Sequence, residues 1–193
     1  MSLSEKSTRS AAKESSNKWV TRIIEAVILV LALALGLTIR LAVYETAIVI
    51  SGSMEPALMI NDRVLVDHRN TLSGKWRRGD VLLFDPPESW GGDENLTKRL
   101  IGLPGETVQM ERFRITIDGH ELVEPYIRHK NGDEAMIIQL GPGQYWVMGD
   151  NRDNSQDSRD LGPINEENIR GRGIYRIFPF NRAGRLSLPK YGF

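Results

Sequence analysis

The chain has no cysteine among its 193 residues, which excludes disulfides, thiolate nucleophiles and zinc–thiolate sites together. Histidine is scarce as well. His68, His120 and His129 lie far apart and match no H-E-x-x-H spacing, so the motif for helix-borne metal ligands is missing. A Ser-His-Asp triad has few histidines to draw on for the same reason. No metal and no other cofactor is expected. Charge of one sign is not in excess: 25 basic residues face 25 acidic ones. A nucleic-acid-binding domain normally carries a basic surplus, so nucleic acid is not expected as a partner. The sequence also has no internal repeat, and beyond its N-terminal region no long stretch with a helical apolar period.

That N-terminal region holds the one long hydrophobic run. Residues 1–17 are rich in Ser, Lys, Arg, Glu and Ala without an apolar face, and are expected as a disordered tail on the inner side of a membrane, within a segment 1–22. From Ala26 to Ile39 the chain is uncharged, and from Ile23 to Val43 it is apolar over 21 residues, interrupted near its ends by Glu25 and Arg40. About 20 residues cross a bilayer, and an arginine near the end can snorkel to the headgroups. Residues 23–43 therefore read as one transmembrane helix. A cleavable signal peptide would need a small-x-small site in a polar stretch after the core. The only clear match, Ala32-Leu33-Ala34, sits inside the core instead. A buried helix of a soluble domain would not be so uniformly apolar.

Orientation follows from flanking charge. Lys6, Arg9, Lys13, Lys18 and Arg22 precede or open the run, and only Arg40 is basic in the stretch after it. The positive-inside rule puts the N-terminus in the cytoplasm and residues 44–193 outside.

Residues 44–193 read as β. Short, β-branched runs at 47–50, 64–66, 81–84, 99–101, 115–117, 145–148 and 174–178 are separated by Gly, Pro, Asn and Asp. Asp118-Gly119 is a strong hairpin signal, because both central residues of a type I′ turn need positive φ; Asn131-Gly132 is a second candidate. The expected class is mainly β: one N-terminal transmembrane helix, then an antiparallel β-barrel or sandwich-like domain, with loops at 73–78 and 86–95.

Four polar stretches stand out: Ser51-Gly52-Ser53-Met54-Glu55-Pro56, Arg78-Gly79-Asp80-Val81, Lys98-Arg99 running into Leu103-Pro104-Gly105-Glu106, and the dense loop Gly149-Asp150-Asn151-Arg152-Asp153-Asn154-Ser155-Gln156-Asp157-Ser158-Arg159. In this order, behind a membrane anchor, they resemble the sequence boxes of bacterial type I signal peptidases, from about Trp19 to Pro179. The resemblance implies that Ser53 is the nucleophile, that Ser51 and the Ser53 N–H bind the oxyanion, and that Met54 lies under the scissile region. It implies that Ser155 orients the Lys98 amine, and that Arg99, Asp157 and Arg159 support the polar loop by ion pairing. Two positions depart from the pattern: Ile50 stands where a proline commonly precedes the first serine, and Ala57 where threonine is usual.

The chemistry is consistent with that resemblance. A serine hydroxyl is a weak nucleophile until a base takes its proton. A lysine can be that base only if its pKa, about 10.4 when free, is brought down by burial. Strand alternation puts Lys98 and Leu100 on one face and Arg99 and Ile101 on the other, so Lys98 can turn inward. In the polar loop, Asp153, Ser155 and Asp157 alternate like the start of a calcium loop. An EF-hand would then need Gly and Glu where the chain has Ser158 and Ile164.

The implied reaction is removal of N-terminal signal peptides from preproteins through an acyl-enzyme at Ser53. Shallow pockets near Val49, Ile50 and Met54 would admit small side chains. The partners are preprotein signal peptides and the lipid bilayer. Ser53 follows the apolar run by about ten residues, an extended reach of at most roughly 35 Å, which suits a substrate whose own apolar segment is embedded. The alternatives are a related Ser/Lys processing peptidase with a dedicated substrate, and a catalytically silent assembly protein.

Overall fold

A computed structural model describes residues 3–112, 114–127, 133–189 and 191. They form two units, Met1–Val43 and Tyr44–Phe193.

The first unit is one helix, α1 (Leu3–Val43). The tail expected to be disordered is thus helical from Leu3 onward. Its Ala, Glu, Lys and Arg residues are good helix formers, and no Gly or Pro interrupts residues 3–35. Propagating an existing helix costs far less than nucleating one. The window Trp19–Thr38 has a mean hydropathy of 2.3 over 20 residues, and none of it is buried within the protein. By length and composition it can cross a membrane.

The second unit is antiparallel β throughout its described pairings. Along the chain lie β1 (Tyr44–Ile48), β2 (Arg63–Asp67), β3 (Val81–Phe84), β4 (Leu96–Gly102), β5 (Thr107–Arg112), β6 (Arg114–Ile117), β7 (His120–Glu121), β8 (Asp133–Gln139) and β9 (Gln144–Met148). A single helical turn, α2 (Ser158–Leu161), comes next, followed by β10 (Ile164–Asn165), β11 (Ile169–Phe178) and β12 (Gly184–Arg185). One sheet runs β1-β2-β11-β3-β4-β9-β10, with β12 added to β11; a smaller one runs β7-β6-β5-β8. The fold is the mainly-β, antiparallel class expected from the pattern of short β-branched runs.

Asp118 and Gly119 make the tight turn between β6 and β7 with φ of 48° and 82°, joining the Ile117–His120 pair. Asn131-Gly132, the other turn candidate, lies outside the described residues. β5 and β8 were not legible as strands, because Gln, Glu, Met and Ala dominate them. They form because they pair with each other, with Val108 and Met110 facing the core.

β4 is the strand on which the architecture turns. It lies between β3 and β9, and Lys98 to Gly102 are all buried. Leu100 packs with Leu82, Phe84 and Val147, whereas Ile101 packs with Val108, Ile117 and Trp146 under the smaller sheet. The alternation therefore does not separate an inner face from a wet one; both faces of β4 are covered, as in strands buried on two sides. At its end, Gly102 accommodates the crossing of the two sheets. A Cβ there would come within 2.7 Å of Leu140 Cδ1 and Val108 Cγ2, both in the core. Gly102→Ala is expected to destabilise the β unit by about 1–3 kcal/mol through overpacking. Urea unfolding followed by tryptophan fluorescence checks this; an unchanged midpoint would show that the core yields freely there.

Candidate active site

The chain leaves β1 and closes a loop on itself: the Val49 N–H donates to the Asp62 carbonyl at 2.9 Å and the Val49 carbonyl accepts from Asn61 N–H at 2.8 Å. Within it, Gly52–Met54 form a 3-10 turn. Val49, Met54 and Leu58 are buried against Val64, Val66, Val81 and Leu83, so the turn is nailed to the core by its apolar residues. Ser53 rides on it with 6% exposure. Ser51 stands at the N-cap without making a cap bond; its Oγ lies 3.2 Å from Ser53 Oγ instead. The first N–H groups of a helical turn have no partner within it, which leaves the Ser53 N–H available as a donor.

Lys98 sits in β4 opposite Leu82, with 4% exposure. Its Nζ donates to Ser155 Oγ at 3.0 Å, and among the described residues it has no carboxylate ion pair and no direct hydrogen bond to Ser53. Ser155 Oγ in turn donates to Asp157 Oδ2 at 2.7 Å. Since the hydroxyl has one proton, Asp157 claims it and the lone pairs of Ser155 face the amine. Asp157 is wholly buried. Burial alone would raise its carboxyl, but the Arg159 guanidinium, the Gly149 N–H and the Ser155 hydroxyl together hold it below the usual carboxylate range. It also caps α2, in a capping box with Asp160. Burial pulls the Lys98 amine down from 10.5 to about 8, against the opposing pull of the Asp157 charge.

The polar loop, residues 149–159, connects this lysine to the serine turn. Asn151 N–H donates to the Ser53 carbonyl at 3.0 Å and Asn151 Nδ2 to the Gly52 carbonyl at 3.1 Å. Gly149 lies between the two serines: a Cβ there would fall 2.3 Å from Ser155 Oγ and 2.5 Å from the Ser53 carbonyl. Arg99, on the other face of β4, forks onto Asp150 with contacts of 2.7 and 2.6 Å and donates to the Gly79 carbonyl at 2.8 Å. Arg159 bonds Asp157 at 2.9 Å and the Arg152 carbonyl at 2.9 Å. Breaking one partner of a buried pair such as Arg99–Asp150 costs about 3–5 kcal/mol.

A groove of about 580 Å³ opens beside Ser53, lined by Ala47, Val49, Ile50, Met54, Leu83 and Thr97 among others. Val49 and Met54 form its apolar floor, while Ile50 is 59% exposed at its side. The structure thus brings Ser51, Ser53, Val49, Ile50 and Met54 to one wall, and Lys98, Ser155, Asp157 and Arg159 to one hydrogen-bonded chain. Arg99 points away from that chain and acts on the loop through Asp150. Gly149, Asp150, Asn151 and Arg152 were missed as individual contributors. They stood in a conspicuous loop, but nothing in their order said that Asn151 would reach back to Ser53.

A serine within a 3-10 turn, beside a groove and near a desolvated lysine, fits a serine peptidase that works without histidine. A family model described as signal peptidase, peptidase S26, matches residues 18–178. Signal peptidase I of Leptolyngbya laminosa is 39% identical over 164 residues, covering 82% of this chain and 81% of that protein. Signal peptidase I of Bacillus licheniformis is 38% identical over 188 residues, covering 92% and 95%. A crystal structure of a signal peptidase I from Enterococcus faecalis shares 30% identity with a TM-score of 0.45, over 51% of this chain and 96% of that one. The chain belongs to the signal peptidase family, peptidase S26.

The buried lysine has a measurable cost. Between about 8 and 10.5 the unfolded chain holds a proton that the folded one has lost, so stability rises with pH across that window. Below it the folded state carries the full penalty of a desolvated ammonium, about 3 kcal/mol. Lys98→Met is therefore expected to be more stable than wild type at neutral pH, by up to about 3 kcal/mol, with the advantage shrinking towards pH 10.5. Denaturant unfolding across that range reads it, and an advantage independent of pH would refute the desolvated amine.

Proposed function

We propose that this chain is a membrane-anchored signal peptidase that removes N-terminal signal peptides from exported preproteins, with Ser53 as nucleophile and Lys98 as general base. The observation that carries this is the Lys98 amine: buried, unpaired with any described carboxylate, and held by a serine whose own proton is committed to Asp157. An amine in that setting loses its proton at about 8, well below the free-lysine value, and then has a lone pair for accepting another.

The Ser53 hydroxyl turns from Ser51 towards Lys98, gives up its proton to Nζ, and Oγ attacks the scissile carbonyl. Negative charge gathers on the carbonyl oxygen, where the Ser53 N–H and the Ser51 hydroxyl donate; donors placed in advance are commonly the largest catalytic contribution. Lys98 then returns the proton to the departing amine as the C–N bond breaks, leaving the acyl group on Ser53. Water attacks that ester with Lys98 again as base, releasing the cleaved peptide and restoring Ser53. Asp157 stays ionised throughout, and Ser155 keeps Nζ aimed. The apolar lining supplied by Val49 and Met54 would form shallow pockets for small side chains, in keeping with cleavage after a small-x-small motif.

The membrane span has the proposed boundaries 23–43, overlapping the apolar window Trp19–Thr38 from residue 23 to residue 38, with residues 1–22 in the cytoplasm and 44–193 outside. The excess of Lys and Arg before the span supports this orientation in the bacterial cytoplasmic membrane.

In detergent, the wild-type chain is expected to cleave a preprotein bearing a small-x-small site, while Ser53→Ala and Lys98→Met lower the rate by at least about a thousandfold with the fold retained. Full activity in Lys98→Met would remove it as the base. The kcat/KM of wild type is expected to rise with pH through about 8 and level off above it. A rise that begins only near the free-lysine value would contradict the mechanism. Added to cells stripped of outer barriers, protease is expected to digest residues 44–193; protection of that domain would reverse the orientation.

A further inference from the structure

Behind the polar loop, on the face of β4 opposite Lys98, lies a second buried polar network that the proposed chemistry does not use. Its outermost member is Tyr191, close to the end of the chain. The Tyr191 and Tyr126 hydroxyls are 2.9 Å apart, and Tyr126 Oη donates to Glu124 Oε1 at 2.6 Å. Arg152 Nη2 donates to the same Glu124 oxygen, and Arg152 Nε donates to the Gly149 carbonyl at 3.0 Å. Gly149 is the residue wedged between Ser155 Oγ and the Ser53 carbonyl.

The direction of the hydrogen bonds is set by chemistry. A carboxylate paired with arginine only accepts, so Tyr126 spends its proton on Glu124, and Tyr191 must donate to Tyr126. Burial pushes the Tyr191 hydroxyl up to about 12, so it remains a donor over the working pH range. The same tyrosines brace a second support of the loop. The Tyr126 ring lies 4.3 Å from the Arg99 guanidinium, which forks onto Asp150. Tyr191 also covers Gly79, where a Cβ would come within 3.2 Å of its Cε2; the Gly79 carbonyl is a partner of Arg99. Two routes, through Glu124–Arg152 and through Arg99–Asp150, therefore run from one C-terminal tyrosine to the loop that carries Ser155.

We propose that Tyr191 is a positioning residue: its hydroxyl, acting through Tyr126, latches the C-terminal segment to the 149–155 loop and so sets the place of Ser155 against Lys98. Tyr191 does not touch substrate. Its effect is on how often the loop holds the lysine in the reactive geometry, which changes kcat and leaves the groove and KM alone.

This inference rests on the Ser53–Lys98 reading for its kinetic consequence but not for its structural one, and the test separates the two. Tyr191→Phe keeps the ring and its packing while removing the donor. In the full chain in detergent, Tyr191→Phe is expected to lower kcat for preprotein cleavage by about fivefold, the effect of one net hydrogen bond, with KM unchanged. The double variant Tyr126→Phe/Tyr191→Phe should lose less than the product of the single losses, because both act through one link. Independently of any activity, hydrogen exchange read by mass spectrometry is expected to quicken in residues 149–155 of Tyr191→Phe and to stay unchanged in β5 and β6. Wild-type cleavage with an undiminished kcat in Tyr191→Phe would overturn the latch and leave the Ser53–Lys98 reading standing. Unaltered exchange in 149–155 would overturn it whatever the chain cleaves. An inactive wild type with quickened loop exchange would sink the peptidase reading and keep the latch.

Discussion

The interaction on which the rest depends is the single hydrogen bond between Lys98 Nζ and Ser155 Oγ, made where water is excluded. An ammonium there would ordinarily be neutralised by a carboxylate, and Asp157 is close at hand. It is instead occupied by Arg159, by the Gly149 N–H and by the Ser155 hydroxyl itself. The lysine feels that negative charge at one remove, which tempers but does not cancel desolvation. A direct ion pair would restore the proton and end the amine's usefulness as a base.

Holding a buried amine in this state requires that everything around it be rigid. The solution is a loop whose charged side chains are held by ion pairs within it and to the strands and segments around it. Asp150 is taken by Arg99, Asp157 by Arg159, and Arg152 by Glu124, so each of these three charges already has a partner. Ion pairs of this kind are weak evidence for stability, because desolvation offsets much of their attraction. Here they are better understood as devices of placement. Asn151 completes them by joining the loop to the backbone of the Ser53 turn, so that the two halves of the site move together.

Much of this was legible beforehand, for physical reasons that differ from residue to residue. The absence of cysteine and the scatter of histidines narrowed the choice of base before any motif was read. Asp118-Gly119 announced its turn because few residues accept positive φ. β5 and β8 were opaque because their Met, Ala and Gln residues have no strong local preference; pairing across the small sheet decides them. The helical state of residues 3–17 was missed because their composition looked solvated, whereas continuity with an apolar helix carries the helix into them. Strand alternation puts Lys98 and Arg99 on opposite faces, and only Lys98 was expected to turn inward. Both proved buried, because β4 has packing on each face.

What the sequence by itself determined is chemical identity and order: an apolar segment with basic residues before it, a serine turn after the first strand, a lysine without competing histidines or thiols, and a polar loop rich in matched charges. Those features are local, set by side-chain chemistry and short-range backbone preference. Only the tertiary structure decided that Asp157 would be too occupied to pair with Lys98, that Asn151 would bind the Ser53 turn, and that Tyr126 and Tyr191 would meet behind the loop. Each of these depends on groups distant in sequence brought together by antiparallel pairing and core burial, and the energy of a buried polar group is set by such neighbours rather than by its own place in the chain.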